Sequence, residues 1–215
     1  MKLINLRKII IVSLLITSSF VLEIFSKHIF LSNIMVPFFH IKFFIISGIP
    51  LMLMVIILEF RYSFLGIIIY SMICFFVNIL PGSYQLFATF GYKSDFSQFQ
   101  WIFLNSLTNF FIPCFSYLFL SFSNNKNINN FDKRYKIFLF LLLMIVFQTI
   151  SKTFNGYYLY FDTIKEKLNL QNKYSIFLII MLLNLFPNLT TNSFNLLVCL
   201  RILFYFKNFH YLDKK

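Results

Sequence analysis

The chain has 215 residues, of which 59% are hydrophobic and only 12% charged, with a mean hydropathy of +0.78 and a formal net charge of +12. A water-soluble domain carries about a quarter charged residues and roughly half apolar ones. The apolar excess here recurs along the whole chain, which excludes a soluble globular domain, a disordered chain and a secreted disulfide scaffold.

What remains is an integral membrane protein. A spanning helix needs about 20 mostly apolar residues, because the hydrocarbon layer is ~30 Å thick and a helix rises ~1.5 Å per residue. The alternating segments of about ten residues that mark a membrane barrel are absent, so the backbone must satisfy itself as helices. The expected fold is therefore all-α: one integral membrane bundle of six transmembrane helices over residues 1–215, with both termini cytoplasmic.

The first predicted span is Ile9 to Leu31, preceded by Lys2, Arg7 and Lys8. It is too long for a signal-peptide core and no A-x-A cleavage site follows, so it reads as a retained helix. An outer loop, Ser32 to Lys42, leads to the short second span, Phe43 to Leu58. A tight turn at Glu59-Phe60-Arg61-Tyr62 opens the third, Ser63 to Leu80. A second outer loop, Pro81 to Gln100, precedes the fourth span, Trp101 to Leu120. The Asn-rich stretch Ser123 to Asn130 is a polar cytoplasmic loop. The fifth span is Ile137 to Tyr160, and after the outer loop Phe161 to Lys173 comes the last, Tyr174 to Phe206, which extends past the membrane or kinks at Pro187.

This arrangement puts Lys2, Arg7, Lys8, Arg61, Lys126, Lys133, Arg134, Lys136, Arg201, Lys207, Lys214 and Lys215 inside. Lys27, Lys42, Lys93, Lys152, Lys165, Lys167 and Lys173 lie on the outer side. The cytoplasmic excess of Lys and Arg follows the usual bias of membrane proteins and explains the positive charge without nucleic acid, for which no binding motif is present. Cys74, Cys114 and Cys199 lie in apolar runs with neither C-x-x-C spacing nor a neighbouring His, and read as small buried residues. Phe, at 33 residues, shares AT-rich codons with Ile, Asn and Lys, so single Phe positions carry little functional information.

Polar side chains at membrane depth face the bundle interior or a cavity, because an unpaired amide or hydroxyl in hydrocarbon is costly. In the last span Asn184, Asn188, Thr191 and Asn195 recur at i, i+4, i+7 and i+11, with Asn192 beside them. In the fifth, Gln148, Ser151 and Asn155 share a face with Lys152, and Tyr157, Tyr158 and Tyr160 follow. In the fourth, Trp101, Asn105, Thr108 and Asn109 share a face. Interhelical hydrogen bonding accounts for any one of these amides. Amides on three helices at similar depth, with aromatics near the outer surface, suit a cavity for a small planar polar molecule, since rings stack and Asn or Gln both donates and accepts. Glu23 and Lys152 are the ionisable groups nearest membrane depth; Glu23 has Lys27 at i+4 as a local partner, and Lys152 either meets a ligand or snorkels.

Catalytic signatures are missing. His28, His40 and His210 do not cluster with acids, and no H-E-x-x-H, G-x-S-x-G or Walker-type sequence occurs. Asp95, Asp132, Asp162 and Asp213 are scattered over loops and tails. The expectation is a non-enzyme with no metal and no cofactor, which must borrow energy from a partner if it transports uphill.

The chain resembles the substrate-binding S component of energy-coupling factor (ECF) vitamin transporters. The resemblance is carried by Ser47-Gly48-Ile49-Pro50-Leu51, by Glu59-Phe60-Arg61-Tyr62-Ser63-Phe64-Leu65-Gly66, and by Leu104-Asn105-Ser106 running to Pro113. Gln148-Thr149-Ile150-Ser151 to Tyr158 and Phe186-Pro187-Asn188 to Arg201 complete it. It implies a multi-pass cell-membrane protein that captures a vitamin-like molecule and delivers it through a transmembrane coupling subunit and two ATPase subunits. Trp101, Asn105, Gln148, Ser151, Asn155, Tyr158, Asn184 and Asn188 would line the site. Ser13 and Thr17 hold the spacing of the family's A-x-x-x-A helix and would face the coupling subunit. Where thiamine-type members carry His, Gly and Trp in the fifth helix, this chain has Gln148, Lys152 and Tyr158. The rival reading is a membrane scaffold of the cell-shape machinery, with no small-molecule site and with partners held through its loops.

Overall fold

A computed structural model describes residues 2–25, 46–90, 96–123, 134–169 and 172–212, and among them every regular element is helical. Helix α1 is Lys2–Phe25, α2 Gly48–Ile57 and α3 Phe60–Cys74. A π-helical turn, Phe75–Ile79, carries α3 on into α4, Leu80–Phe90. Helix α5, Gln98–Ser106, passes through a second π turn, Leu107–Phe111, into the short α6, Ile112–Ser116, and ends in a 3₁₀ stretch, Tyr117–Ser123. Helices α7, Arg134–Leu159, α8, Phe161–Leu168, and α9, Lys173–Leu212, complete the order.

Five of these stretches are long and apolar enough to cross a membrane: Leu6–Phe25, Phe60–Val77, Gln98–Phe122, Tyr135–Leu159 and Lys173–Tyr205. Helix α2 is apolar too but has only 10 residues, a length of about 15 Å, or half the hydrocarbon thickness. Six full-length spans are thus not found among the described residues; the expected start of the second span, at Phe43, lies outside them. The first span's expected end at Leu31, the loop Ser32 to Lys42 and the Asn-rich stretch beyond Ser123 are likewise outside.

Two segments expected as loops are partly helical. After Leu80 the chain stays helical to Phe90, and a capping box starts α5: Ser97 Oγ accepts from the Gln100 amide at 3.4 Å while Gln100 Oε1 accepts from the Ser97 N–H at 3.1 Å. The segment after Tyr160 forms α8, closed by Asn169 in the left-handed conformation (φ 50°), which asparagine tolerates as a helix terminator.

The two π turns have a common local cause. Each is followed by a proline, Pro81 or Pro113, whose ring crowds the carbonyl four residues earlier and supplies no N–H. Those carbonyls belong to Val77 and Asn109, both inside the π turns, where the wider winding makes room. Pro187 is accommodated within the continuous helix α9.

The described residues carry apolar side chains on the outside as well as in the core, a pattern compatible with a membrane bundle. On α7 the outward stripe is Phe138, Leu142, Val146, Ile150 and Phe154, while Leu141, Met144, Ile145, Gln148, Ser151 and Asn155 face in. Helix α2 is buried almost throughout, packed by α1, α3, α9 and the 3₁₀ stretch. It runs antiparallel to α1: near one end Ser19 Oγ donates to Ser47 O at 2.6 Å, and near the other Lys8 Nζ pairs with Glu59 Oε1 at 2.6 Å. That ion pair is partly exposed and contributes little to stability.

Close packing of α1, α2 and α3 needs Gly66. A Cβ there would stand 2.5 Å from Met54 Sδ and 3.2 Å from Val12 Cγ1. Met54 can swing its thioether aside, so Gly66→Ala should cost only about 1 kcal/mol, measurable as a small fall in the melting temperature of the detergent-purified protein.

Candidate functional site

The polar faces of the α5–α6 span, α7 and α9 meet inside the bundle, and α7 with α9 forms its most extensive helix contact. The inward stripe of α7 recurs at i, i+3 and i+7, so Gln148, Ser151 and Asn155 all point at the facing helices and are all buried. Two hydrogen-bonded clusters result.

The first joins the α5 region to α7. Asn155 Nδ2 donates to Thr108 Oγ1 at 2.8 Å and to Asn105 Oδ1 at 3.1 Å, and Asn105 Nδ2 donates in turn to Ser83 Oγ of α4 at 3.1 Å. Thr108 Oγ1 donates to Leu104 O at 2.6 Å, and Ser151 Oγ donates to the Thr108 carbonyl. That carbonyl lies in the second π turn, where widened winding leaves backbone acceptors within reach of a neighbouring helix.

The second cluster joins α6, α7 and α9. Gln148 Nε2 donates to Ser116 Oγ at 2.9 Å and to Pro113 O at 3.2 Å, and Gln148 Oε1 accepts from Asn192 Nδ2 at 2.8 Å. Asn192 also reaches Asn188 O at 2.8 Å. Asn188 Nδ2 donates to Thr149 Oγ1 at 3.2 Å, and Asn188 Oδ1 accepts from Lys152 Nζ at 2.8 Å. Lys152 is thereby held against α9 rather than left to solvent.

A third polar group lies between α1 and α2, where Ser47 Oγ donates to Glu23 Oε2 at 2.7 Å. Lys27, expected beside Glu23, is outside the described residues. Next to Ser47, Gly48 packs so closely that a Cβ there would lie 2.6 Å from Asn195 Nδ2 and 2.7 Å from the Tyr117 hydroxyl. Cys199 donates its thiol to Ile49 O at 3.3 Å, so α2 starts against the Asn195–Cys199 turn of α9. All three cysteines are buried and unbridged.

Of the residues expected to line a site, the structure therefore brings together Asn105, Gln148, Ser151, Asn155 and Asn188. Trp101 is fully buried but apart from these hydrogen bonds: it packs edge-on against Phe87 and Tyr160, with centroids 5.7 and 5.6 Å away. Asn184 is half-buried and turns its amide back to Ile180 O of its own helix. Tyr158 is 51% exposed, because it follows Phe154 by one turn on the outward stripe of α7, their rings 4.2 Å apart. Asn109 is also exposed: the π turn containing it shifts the helix register that would have kept it beneath Asn105. Ser13 and Thr17 sit on the exposed face of α1, where Thr17 Oγ1 donates to Ser13 O at 2.9 Å.

The network uses residues not expected in the site: Ser83, Thr108, Ser116, Thr149 and Asn192. Thr108 and Asn192 stand on the polar faces of the sequence, whereas Ser83 falls in the segment Pro81 to Gln100, expected as a loop. Ser116 is a single hydroxyl within an apolar run, and Thr149 stands beside Gln148 but off the stripe that Gln148 forms with Ser151 and Asn155. Among the described residues no His, Cys, Asp or Glu cluster has a metal-binding arrangement. No family model matches this chain, and neither a curated protein nor a solved structure is significantly similar to it.

Proposed function

We propose that the chain is a membrane-embedded binding subunit of the S-component kind, capturing a small polar molecule such as a vitamin for uptake. In this reading it does no chemistry and works with a transmembrane coupling subunit and two ATPase subunits in the cell membrane. In this reading the short apolar α2 belongs to a sixth crossing, and an even number of crossings keeps both termini cytoplasmic, in line with the Lys and Arg distribution.

The observation that supports this reading most is the convergence of amides and a lysine from separate helices near mid-span. Gln148 lies close to the middle of Tyr135–Leu159, and Asn188 close to the middle of Lys173–Tyr205. Transporter substrate sites favour such mid-membrane positions, and ionisable groups at that depth are generally functional. The same amides that hydrogen-bond one another offer donors and acceptors to a ligand entering between α5, α7 and α9. Ser13 and Thr17, small and outward-facing on α1, suit a docking helix.

The test is native mass spectrometry of the detergent-purified protein, followed by titration with whatever molecule co-purifies. Asn188→Leu should weaken its binding at least about tenfold, the equivalent of about 1.4 kcal/mol. Undiminished binding by Asn155→Leu, Asn184→Leu and Asn188→Leu variants would dismiss the cavity.

A second reading, a scaffold without a ligand, draws on the way Asn105, Asn155, Gln148 and Asn192 satisfy one another, as interhelical glue does. It predicts that no small molecule co-purifies and that cell-wall proteins, not ATPase subunits, are recovered with the chain.

A further inference from the structure

We propose that the molecule held between α7 and α9 carries an anionic group, a carboxylate or a phosphate, and that Lys152 is the residue that takes it. The inference rests on the binding-subunit reading and names its substrate class.

Lys152 stands about 10 Å along α7 from the Leu159 end of its span, at ~1.5 Å per residue. A lysine that merely snorkelled would run its ammonium toward the nearer membrane surface. This one does the reverse: its Nζ meets Asn188 Oδ1 at 2.8 Å, and Asn188 also bonds Thr149, which lies about one turn farther than Lys152 from the Leu159 end of α7. The amide is held in that orientation from its other side, since Asn188 Nδ2 donates to Thr149 Oγ1 at 3.2 Å. An ammonium has three N–H donors, and only the one to Asn188 finds an acceptor among the described residues. Nor does a carboxylate reach it: the ion pair among the described residues is the distant Lys8–Glu59.

A cation fixed at depth, facing inward, with donors to spare and no counter-ion is the arrangement expected of a site whose counter-ion arrives with the ligand. The flanking Gln148, Asn155 and Asn188 then recognise the uncharged part of the molecule by amide hydrogen bonds.

The purified protein is titrated with matched pairs of small molecules that differ only in an anionic group. Nicotinate with nicotinamide, pantothenate with pantothenol and biotin with its amide form the carboxylate arm. Riboflavin 5′-phosphate with riboflavin and pyridoxal 5′-phosphate with pyridoxal form the phosphate arm. Any co-purifying molecule is identified by mass spectrometry alongside. The expected result is an anionic ligand, either co-purified or bound about tenfold or more above its neutral twin. Lys152→Met should lose that preference and Lys152→Arg should keep part of it. Lys152→Gln retains a donor for Asn188 without the charge, so it separates loss of charge from loss of fold. A neutral or cationic ligand, or an anion preference that survives Lys152→Met, overturns the assignment of Lys152 and leaves the binding subunit standing. If nothing co-purifies and no probe binds, the binding-subunit reading falls as well.

Discussion

Gly48→Val is expected to lower the stability of the detergent-purified protein by about 3 kcal/mol, at the upper end of what overpacking costs. At this position even the first side-chain carbon would stand 2.6 Å from Asn195 Nδ2 and 2.7 Å from the Tyr117 hydroxyl, well inside van der Waals contact. Neither neighbour gives way easily. Asn195 is buried on α9, and Tyr117 is buried at the start of the 3₁₀ stretch. Relief requires α2 to move off α9, which breaks the Cys199 to Ile49 contact and exposes the apolar surface of a helix that is buried almost all round. Thermal unfolding followed by circular dichroism measures the loss. The geometry also predicts a rescue: in the milder Gly48→Ala background, Tyr117→Phe removes one of the two obstructing atoms and should recover part of the lost stability. A Gly48→Val protein as stable as the parent would show that α2 does not dock on α9 in this way.

Gln148→Leu is expected to be the most damaging change within the polar network, at about 2 kcal/mol. The glutamine makes three hydrogen bonds that tie α7 to two other helices, through Ser116 and Pro113 of α6 and Asn192 of α9. Leucine is close to it in size, so the loss is not a cavity effect. It comes from buried polar atoms left without their partner, and such orphaned groups cost about 1–3 kcal/mol. Interhelical hydrogen bonds in membranes average only about 0.6 kcal/mol, because the unfolded chain in lipid also finds partners. The coupling between Gln148 and Asn192 should accordingly be near 1 kcal/mol, so that Gln148→Leu with Asn192→Leu costs less than the two single changes added together. A double-mutant cycle on unfolding in mixed detergent reads it. Strict additivity would mean that the two amides do not share a bond.

Much of this arrangement was legible in the sequence, and the reason is periodicity. Gln148, Ser151 and Asn155 on α7, and Asn188, Thr191 and Asn195 on α9, were assigned to inward faces from their spacing alone, and all six are buried. An α-helix repeats so regularly that spacing translates directly into a face. The assignment failed where winding departs from that repeat or where a residue sits at the margin of a stripe. Asn109 lies in a π turn and faces out, Tyr158 belongs to the outward stripe of Phe154, and Asn184 bonds its own helix. The prolines that accompany the π turns are plain in the sequence, but a proline also ends helices, so from sequence Pro81 reads as the start of a loop.

Composition and hydropathy by themselves determined that the chain is built of helices apolar enough to cross a membrane. A chain so apolar along its length can hide its backbone only in helices, and its Asn and Gln can be kept from lipid only by turning inward. Which amide meets which was decided by the tertiary structure alone. Hydrogen-bond partners such as Asn155 and Asn105, or Lys152 and Asn188, lie far apart in the chain, and their meeting depends on the rotation and depth of each helix against its neighbours. Those are set by close contacts such as Gly48 on Asn195 and Gly66 on Met54, which leave no periodic trace in the sequence.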